Sequence, residues 1–148
     1  MQKLQQTGLV AAIKALTKPV LGICVGAQML GLGSAEGVEP GLGWLDMTVE
    51  RFPELPNLRV PHMGWNQVTA TPVGHSLTQD MTADTRFYFV HSYHVNPVNP
   101  NHVAGETDYG VRFTCAIARD NIFATQFHPE KSADDGLKQY SNFIRSDT

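Results

Sequence analysis

An α/β fold is predicted by two features of this 148-residue chain. The first is an apolar run from Pro19 to Cys24 that passes through a glycine-flanked turn into Gly26–Leu32. Ala27, Gln28, Met29 and Leu30 are good helix formers there, so the segment reads as strand, tight turn, helix. The second is a succession of short strand candidates that closes on a helical tail. With 42% hydrophobic and 17% charged residues, residues 1–148 suit one globular domain with an ordinary core.

Leu4 to Leu16, with Leu9, Ile13 and Leu16 on one face, predicts an amphipathic helix feeding the first strand. After the turn and its helix, Gly31 to Gly43 is rich in glycine and proline and reads as irregular. Strand candidates follow at Trp44–Phe52, Gln67–Ala70, Arg86–Val95, Val103–Glu106, Val111–Arg119 and Ile122–Phe127. Asp120-Asn121 joins the last two as a hairpin. Pro61-His62-Met63-Gly64-Trp65-Asn66 has no clean period of two or 3.6 and sets glycine beside a large aromatic, so it reads as a loop. Asp134 to Arg145 is helical, with Leu137, Tyr140, Phe143 and Ile144 on one face.

The balance of charge and cysteine narrows the function. A net charge of −3 and the lack of a basic stripe argue against nucleic acid. No apolar stretch reaches the ~20 residues of a membrane span, and no signal-peptide pattern is visible. The two cysteines stand in unlike contexts and build no disulfide framework, so a cytoplasmic, reducing home is expected. His62, His91 and His94 lack ligand-type spacing with Cys, Asp or Glu, and neither a metal nor another cofactor is expected.

Two segments about a hundred residues apart carry chemistry. Gly22-Ile23-Cys24-Val25-Gly26 is the thiol counterpart of the G-x-S-x-G nucleophile elbow, whose glycines relieve crowding at a strained corner and whose turn pushes the side chain outward. A sulfur at a helix N-terminus also meets the positive end of the helix dipole, which favours thiolate. At the far end, Ile122–Phe127 reads as a buried strand running into His128-Pro129-Glu130. In an extended segment residues i and i+2 share a face, so His128 and Glu130 project together, and Pro129 stops the segment from continuing as a central strand. His128 then takes the thiol proton and Glu130 holds the imidazole's tautomer. An apolar-flanked cysteine is more commonly a buried small hydrophobe; the glycine spacing together with His-x-Glu favours a nucleophile at Cys24. Cys115, inside Val111–Ile117, has no such setting and reads as core.

Val20-Leu21-Gly22-Ile23-Cys24-Val25-Gly26-Ala27-Gln28 and Gln126-Phe127-His128-Pro129-Glu130-Lys131-Ser132 resemble the two signatures of class I, triad-type glutamine amidotransferases. Val25 and Ala27 stand where Leu and Met are common. Val60-Pro61-His62-Met63-Gly64-Trp65-Asn66 and Tyr88-Phe89-Val90-His91-Ser92-Tyr93 are further similar to the glutaminase subunit of imidazole glycerol phosphate synthase. The resemblance implies a flavodoxin-like central sheet with helices on both faces and hydrolysis of glutamine through a γ-glutamyl thioester, with ammonia passed to a cyclase barrel subunit that is the heterodimer partner in histidine synthesis. By motif it makes Cys24 the nucleophile, His128 the base and Glu130 its orienter. The Val25 N–H supplies an oxyanion donor, Gln28 contacts bound glutamine, and the backbone of Ser92 and Tyr93 holds the substrate's α-carboxylate and amine. Met63, Trp65, Asn66, Tyr88 and Lys131 match positions that face the partner. From the residues alone, Trp65 either anchors an interface or folds back onto the core.

Only one clear strand–helix unit is present, and no residues match the family's Pro-Gly-rich oxyanion loop. The expectation is therefore a domain lacking its N-terminal strand–helix units, poorly active by itself, with a sheet edge prone to association. Two other readings compete with the glutaminase subunit. One is a different class I amidotransferase or thiol hydrolase; the other is a non-catalytic remnant that only binds the partner.

Overall fold

A computed structural model describes residues 1–35, 37, 40–72 and 76–146. Its elements in chain order are α1 (Gln2–Gln6), α2 (Leu9–Lys14), β1 (Val20–Ile23), α3 (Val25–Met29), β2 (Gly33–Ser34), β3 (Met47–Arg51), β4 (His62–Gln67), β5 (Thr69–Ala70), β6 (Arg86–His91), β7 (Tyr93–Pro97), β8 (Val103–Tyr109), β9 (Val111–Arg119), β10 (Ile122–Thr125) and α4 (Ala133–Arg145). Part of the Gly31–Gly43 passage, at positions 36, 38 and 39, lies outside the described residues.

Among the described residues, eight strands form one sheet whose main path runs β1-β10-β9-β7-β3-β2. The elbow strand β1 runs parallel to β10, from Val20 opposite Ile122 to Ile23 opposite Thr125. Most other pairings are antiparallel. Strand β10 returns from β9 through the predicted Asp120-Asn121 turn, with Arg119 opposite Ile122 and Asp120 at φ +52°. Strands β4 and β6 form a separate two-stranded ribbon.

Helices cover both faces, as expected. On one face Phe113, Cys115, Ala118 and Phe123 pack with Phe52, Phe89 and Phe127, and Phe143 of α4 closes over them. The Phe87 and Phe127 rings stack there with centroids 4.0 Å apart. On the other face Met47, Val49, Val95, Ile117 and Ala124 pack against Ala27, Leu30 and the α2 side chains Val10 and Ile13. Cys115, 1% exposed, is core as read from its sequence setting.

Several local expectations change. The helix expected over Leu4–Leu16 is two short helices that break at Thr7-Gly8, where Gly8 at φ +76° takes a left-handed conformation and restarts the chain as the cap of α2. Leu9 and Leu16 are exposed, and Val10 and Ile13 make the contact with the core instead. The Pro61–Asn66 stretch is strand rather than loop: β4 pairs with β6 from His62 opposite His91 to Gln67 opposite Arg86. The single strand expected over Arg86–Val95 is split at Ser92, which separates the ribbon strand β6 from the sheet strand β7. On α4 the inward face is Gly136, Gln139 and Asn142, with Phe143 partly buried, whereas Leu137 and Ile144 stand exposed. Gln139 and Asn142 both donate to the Leu77 carbonyl, at 2.8 and 3.3 Å, which satisfies their buried amides.

Candidate active site

Cys24 occupies the corner between β1 and α3 at φ +53°, ψ −107°, a region that costs a residue with a Cβ of order 1–3 kcal/mol. Its N–H donates to the Thr125 carbonyl at 2.8 Å, which ties the corner to β10, and its carbonyl accepts from Gln28 N at 3.2 Å to start the helix. Gly22 is sterically required, because a Cβ there would sit 2.8 Å from the Gly26 carbonyl oxygen. Gly26 is not: a Cβ at that position meets nothing within 4 Å. The corner therefore rests on the first glycine of the expected pair, and the second is spatially free.

His128 leaves the sheet after β10, and Pro129–Lys131 turns as a 3₁₀ helix. The pairing of His128 with Glu130 holds, although a helical turn and not an extended strand brings them together. His128 Nδ1 lies 2.6 Å from Glu130 Oε1. A carboxylate only accepts, so Nδ1 carries the proton and Nε2 keeps its lone pair. That Nε2 is buried without a hydrogen-bond partner, an arrangement suited to accepting a proton. The backbone holds His128 firmly: its N–H donates to the Tyr88 carbonyl at 2.9 Å, and Ser132 Oγ donates to the His128 carbonyl at 2.6 Å while accepting from Tyr88 N–H at 2.9 Å.

Cys24 and His128 both touch β6. Cys24 Sγ donates to the Val90 carbonyl at 3.9 Å, two residues from the Tyr88 carbonyl that receives His128. Two residues of strand span about 7 Å, so one strand gauges both groups. The expected thiolate is corrected: burial pushes the Cys24 thiol above its ordinary value, only partly offset by the Val25 backbone N–H and the Gln126 amide that face the sulfur. Half-burial outweighs the end of a five-residue helix, and the group rests as a thiol.

Gln126 escaped the sequence reading. It is 1% exposed, donates from Nε2 to Cys24 Sγ at 3.6 Å and accepts from Gln28 Nε2 at 3.2 Å. A lone amide inside the apolar run Ile122–Phe127 was the available signal, since a buried amide needs partners. Gln28 also donates to the Tyr93 carbonyl at 3.1 Å, so of the expected substrate-side groups the Val25 N–H faces the sulfur directly, whereas Gln28 and Tyr93 connect to it through Gln126. Beside them a cavity of about 190 Å³ is lined by Met1, Val25, Gln28, Met29, Gly33 and Ser34. Ser92 stands at the break between β6 and β7, where its carbonyl accepts from Phe52 N at 3.1 Å.

Residues 4–145 match the family model described as glutamine amidotransferase class-I. The chain is 47% identical to imidazole glycerol phosphate synthase subunit HisH 2 of Pseudomonas aeruginosa over 97% of its own length and 73% of that protein's. It is 52% identical to the HisH subunit of Dechloromonas aromatica, over 97% of this chain and 70% of the relative. This chain belongs to the HisH family of class I glutamine amidotransferases. The fold agrees: a putative GMP synthase component from Thermoplasma acidophilum superimposes with a TM-score of 0.68 at 22% identity, covering 97% of this chain and 65% of that one. A CTPS glutaminase domain from Trypanosoma brucei, solved with bound acivicin, gives a TM-score of 0.58 at 16% identity, covering 86% of this chain and 60% of that one.

In this HisH family member the β4–β6 ribbon presents the remaining expected residues. Burial alternates along β4, with Met63 (62% exposed) and Trp65 (52%) outward and His62 inward. Trp65 packs edge-on against Tyr88, its cross-strand neighbour, at 6.2 Å between centroids, and Lys131 Nζ lies 6.0 Å from the Tyr88 ring. Trp65 therefore stands out from the surface and does not fold back onto the core. Asn66 departs from the expectation: it points inward, donating to His62 Nε2 at 3.2 Å and to the Asp108 carbonyl at 2.9 Å. Among the described residues, no group of three or more His, Cys, Asp or Glu could hold a metal ion, and no helix is long and apolar enough to cross a membrane.

Proposed function

We propose that this glutamine amidotransferase is the glutaminase subunit of imidazole glycerol phosphate synthase, hydrolysing glutamine through Cys24, His128 and Glu130 for a cyclase barrel partner. The observation that carries the reading is the unpartnered, buried His128 Nε2, opposite a Glu130-bound Nδ1, in a residue bonded to the same strand that touches the Cys24 sulfur.

Because burial keeps Cys24 a thiol, the reaction begins with proton transfer. His128 Nε2 takes the Sγ proton as the sulfur attacks the side-chain carbonyl carbon of glutamine, and Glu130 stabilises the resulting imidazolium. The carbonyl π electrons move to oxygen, where the Val25 N–H donates to the oxyanion. As the tetrahedral species collapses, the C–N bond breaks and His128 returns the proton to nitrogen, releasing ammonia and leaving a γ-glutamyl thioester. Water then loses a proton to His128 as its oxygen attacks the thioester carbon. Collapse breaks the C–S bond, the sulfur recovers its proton, and glutamate leaves. Gln28 and the backbone at Ser92 and Tyr93 bind the α-substituents, while Met63, Trp65, Tyr88 and Lys131 meet the partner.

Intact-mass measurement after exposure to acivicin, an electrophilic glutamine analogue, tests this directly. One adduct on Cys24, absent from Cys24→Ala, is the expected result. A folded chain that stays unmodified at Cys24 while still binding the cyclase subunit would leave only a docking role.

A further inference from the structure

From the inward side of the ribbon runs a hydrogen-bond chain whose donors converge on the Tyr93 carbonyl from two sides. His91 Nδ1 lies 2.7 Å from the Tyr93 carbonyl, which can only accept, so Nδ1 carries the proton. His91 Nε2 is then the acceptor for His62 Nδ1–H at 3.0 Å, and His62 Nε2 accepts from Asn66 Nδ2 at 3.2 Å. The second proton of that Asn66 amide goes to the Asp108 carbonyl at 2.9 Å. On its other lone pair the Tyr93 carbonyl takes Gln28 Nε2 at 3.1 Å, and Gln28 continues to Gln126 Oε1 at 3.2 Å. Gln126 Nε2 ends the run on Cys24 Sγ at 3.6 Å. Burial holds His62 down at about 4 and His91 at about 3, so both rings are neutral near neutral pH and the direction is fixed.

We propose that Asn66, His62 and His91 are positioning residues for the glutamine pocket: they fix the Tyr93 carbonyl and, through it, the Gln28 amide that lines the cavity, while the Gln126 contact to the sulfur is held by its own burial. The proposal rests on the glutaminase reading above. It gives β4 two jobs, since the strand carries Met63 and Trp65 on its outer side and anchors the pocket from its inner side. Backbone pairing already holds Tyr93 in register with Arg51, so what the three side chains add is the orientation of one carbonyl and the amide it receives. The His62 ring stays stacked between Phe89 and Tyr109 when Asn66 is removed, but Nε2 loses the donor that keeps the proton on Nδ1, so the His62–His91 bond loses its fixed direction and the Tyr93 carbonyl its fixed partner.

The test compares two probes of one sulfur in the full chain, with the cyclase partner bound. Acivicin needs the pocket and the thiol; iodoacetamide needs only the thiol. In Asn66→Ala and His91→Phe, acivicin labelling of Cys24 is expected to slow about tenfold while iodoacetamide labelling stays within about twofold, the scale of one lost hydrogen bond with a fixed geometry. The KM for glutamine rises more than kcat falls. His91→Phe keeps the ring volume but orphans His62 Nδ1; Asn66→Ala sits at the more accessible end and keeps the test valid if the first variant unfolds. Acivicin labelling at the parental rate in folded Asn66→Ala, or an equal slowing of both probes, overturns the relay. An unlabelled parent protein removes the glutaminase reading and the relay with it, whereas a labelled parent with unaffected variants removes the relay alone.

Discussion

Replacing Gln126 with leucine isolates what the buried amide does for the nucleophile. Leucine keeps much of the volume and removes both the N–H that faces Cys24 Sγ at 3.6 Å and the oxygen that accepts from Gln28. A hydrogen bond to a charged acceptor is worth about 1.5–3 kcal/mol, and a contact to sulfur at this distance falls at or just below the lower end. About 1.4 kcal/mol corresponds to one pH unit of thiol ionisation. Burial already holds the Cys24 thiol high, so losing the donor raises it further. Below the ionisation of both forms, the thiolate fraction and therefore the iodoacetamide rate fall about tenfold in Gln126→Leu; above both, the two rates converge. Fold stability changes little, because Gln28 keeps its bond to Tyr93 and the leucine fills the site. The assay is the pH dependence of Cys24 alkylation in the two proteins. Superimposable curves would refute the reasoning and leave Gln126 a packing residue.

Gly22→Ala should destabilise by about 1–3 kcal/mol in urea unfolding, since its Cβ would press on the Gly26 backbone at 2.8 Å, while Gly26→Ala should be neutral or stabilising. Equal costs at the two positions would contradict the elbow geometry. Trp65→Ala should weaken binding of the cyclase subunit by about 2 kcal/mol or more in calorimetry and leave the thermal midpoint nearly unchanged, as expected of an exposed aromatic anchor. Unfolding should take up protons at mildly acidic pH. His62 and His91 have folded values of about 4 and about 3, below their unfolded value of 6.5, so the unfolded chain binds more protons in that window and stability declines as pH falls from 6.5 toward 4. A pH-independent unfolding free energy across that window would show that the pair is solvated.

What could be read before the fold was known follows from how local each signal is. The elbow and the Asp120-Asn121 hairpin were legible because turn geometry is written in adjacent residues. His128 and Glu130 were legible as a pair for a similar reason, although the turn that joins them is helical. Strand β4 was not, because its pattern is inverted: the outward positions hold Met63 and Trp65, and the inward ones hold His62, Gly64 and Asn66. An alternation of apolar and polar residues implies the wrong face when the apolar side stands exposed and the polar side is satisfied by hydrogen bonds. The exposed Leu137 and Ile144 on α4 mislead in the same way, since Gln139 and Asn142 point inward to the Leu77 carbonyl. The state of the Cys24 thiol depends on burial by segments distant in sequence, which a helix-end argument does not include.

Tyr88 divides its two halves between two duties. Its main chain grips the His128 segment at two points, through the carbonyl that receives His128 N–H and the N–H that reaches Ser132, while its ring lies against Trp65 and Lys131 at the surface. Any residue that keeps an N–H can form the grip. The side chain at this position is therefore open to change as a docking partner changes, and an altered interface need not disturb the acid–base machinery behind it. Redesign of the ribbon for a new partner can accordingly begin at 88 and should exclude only proline there, with Ser132 left untouched.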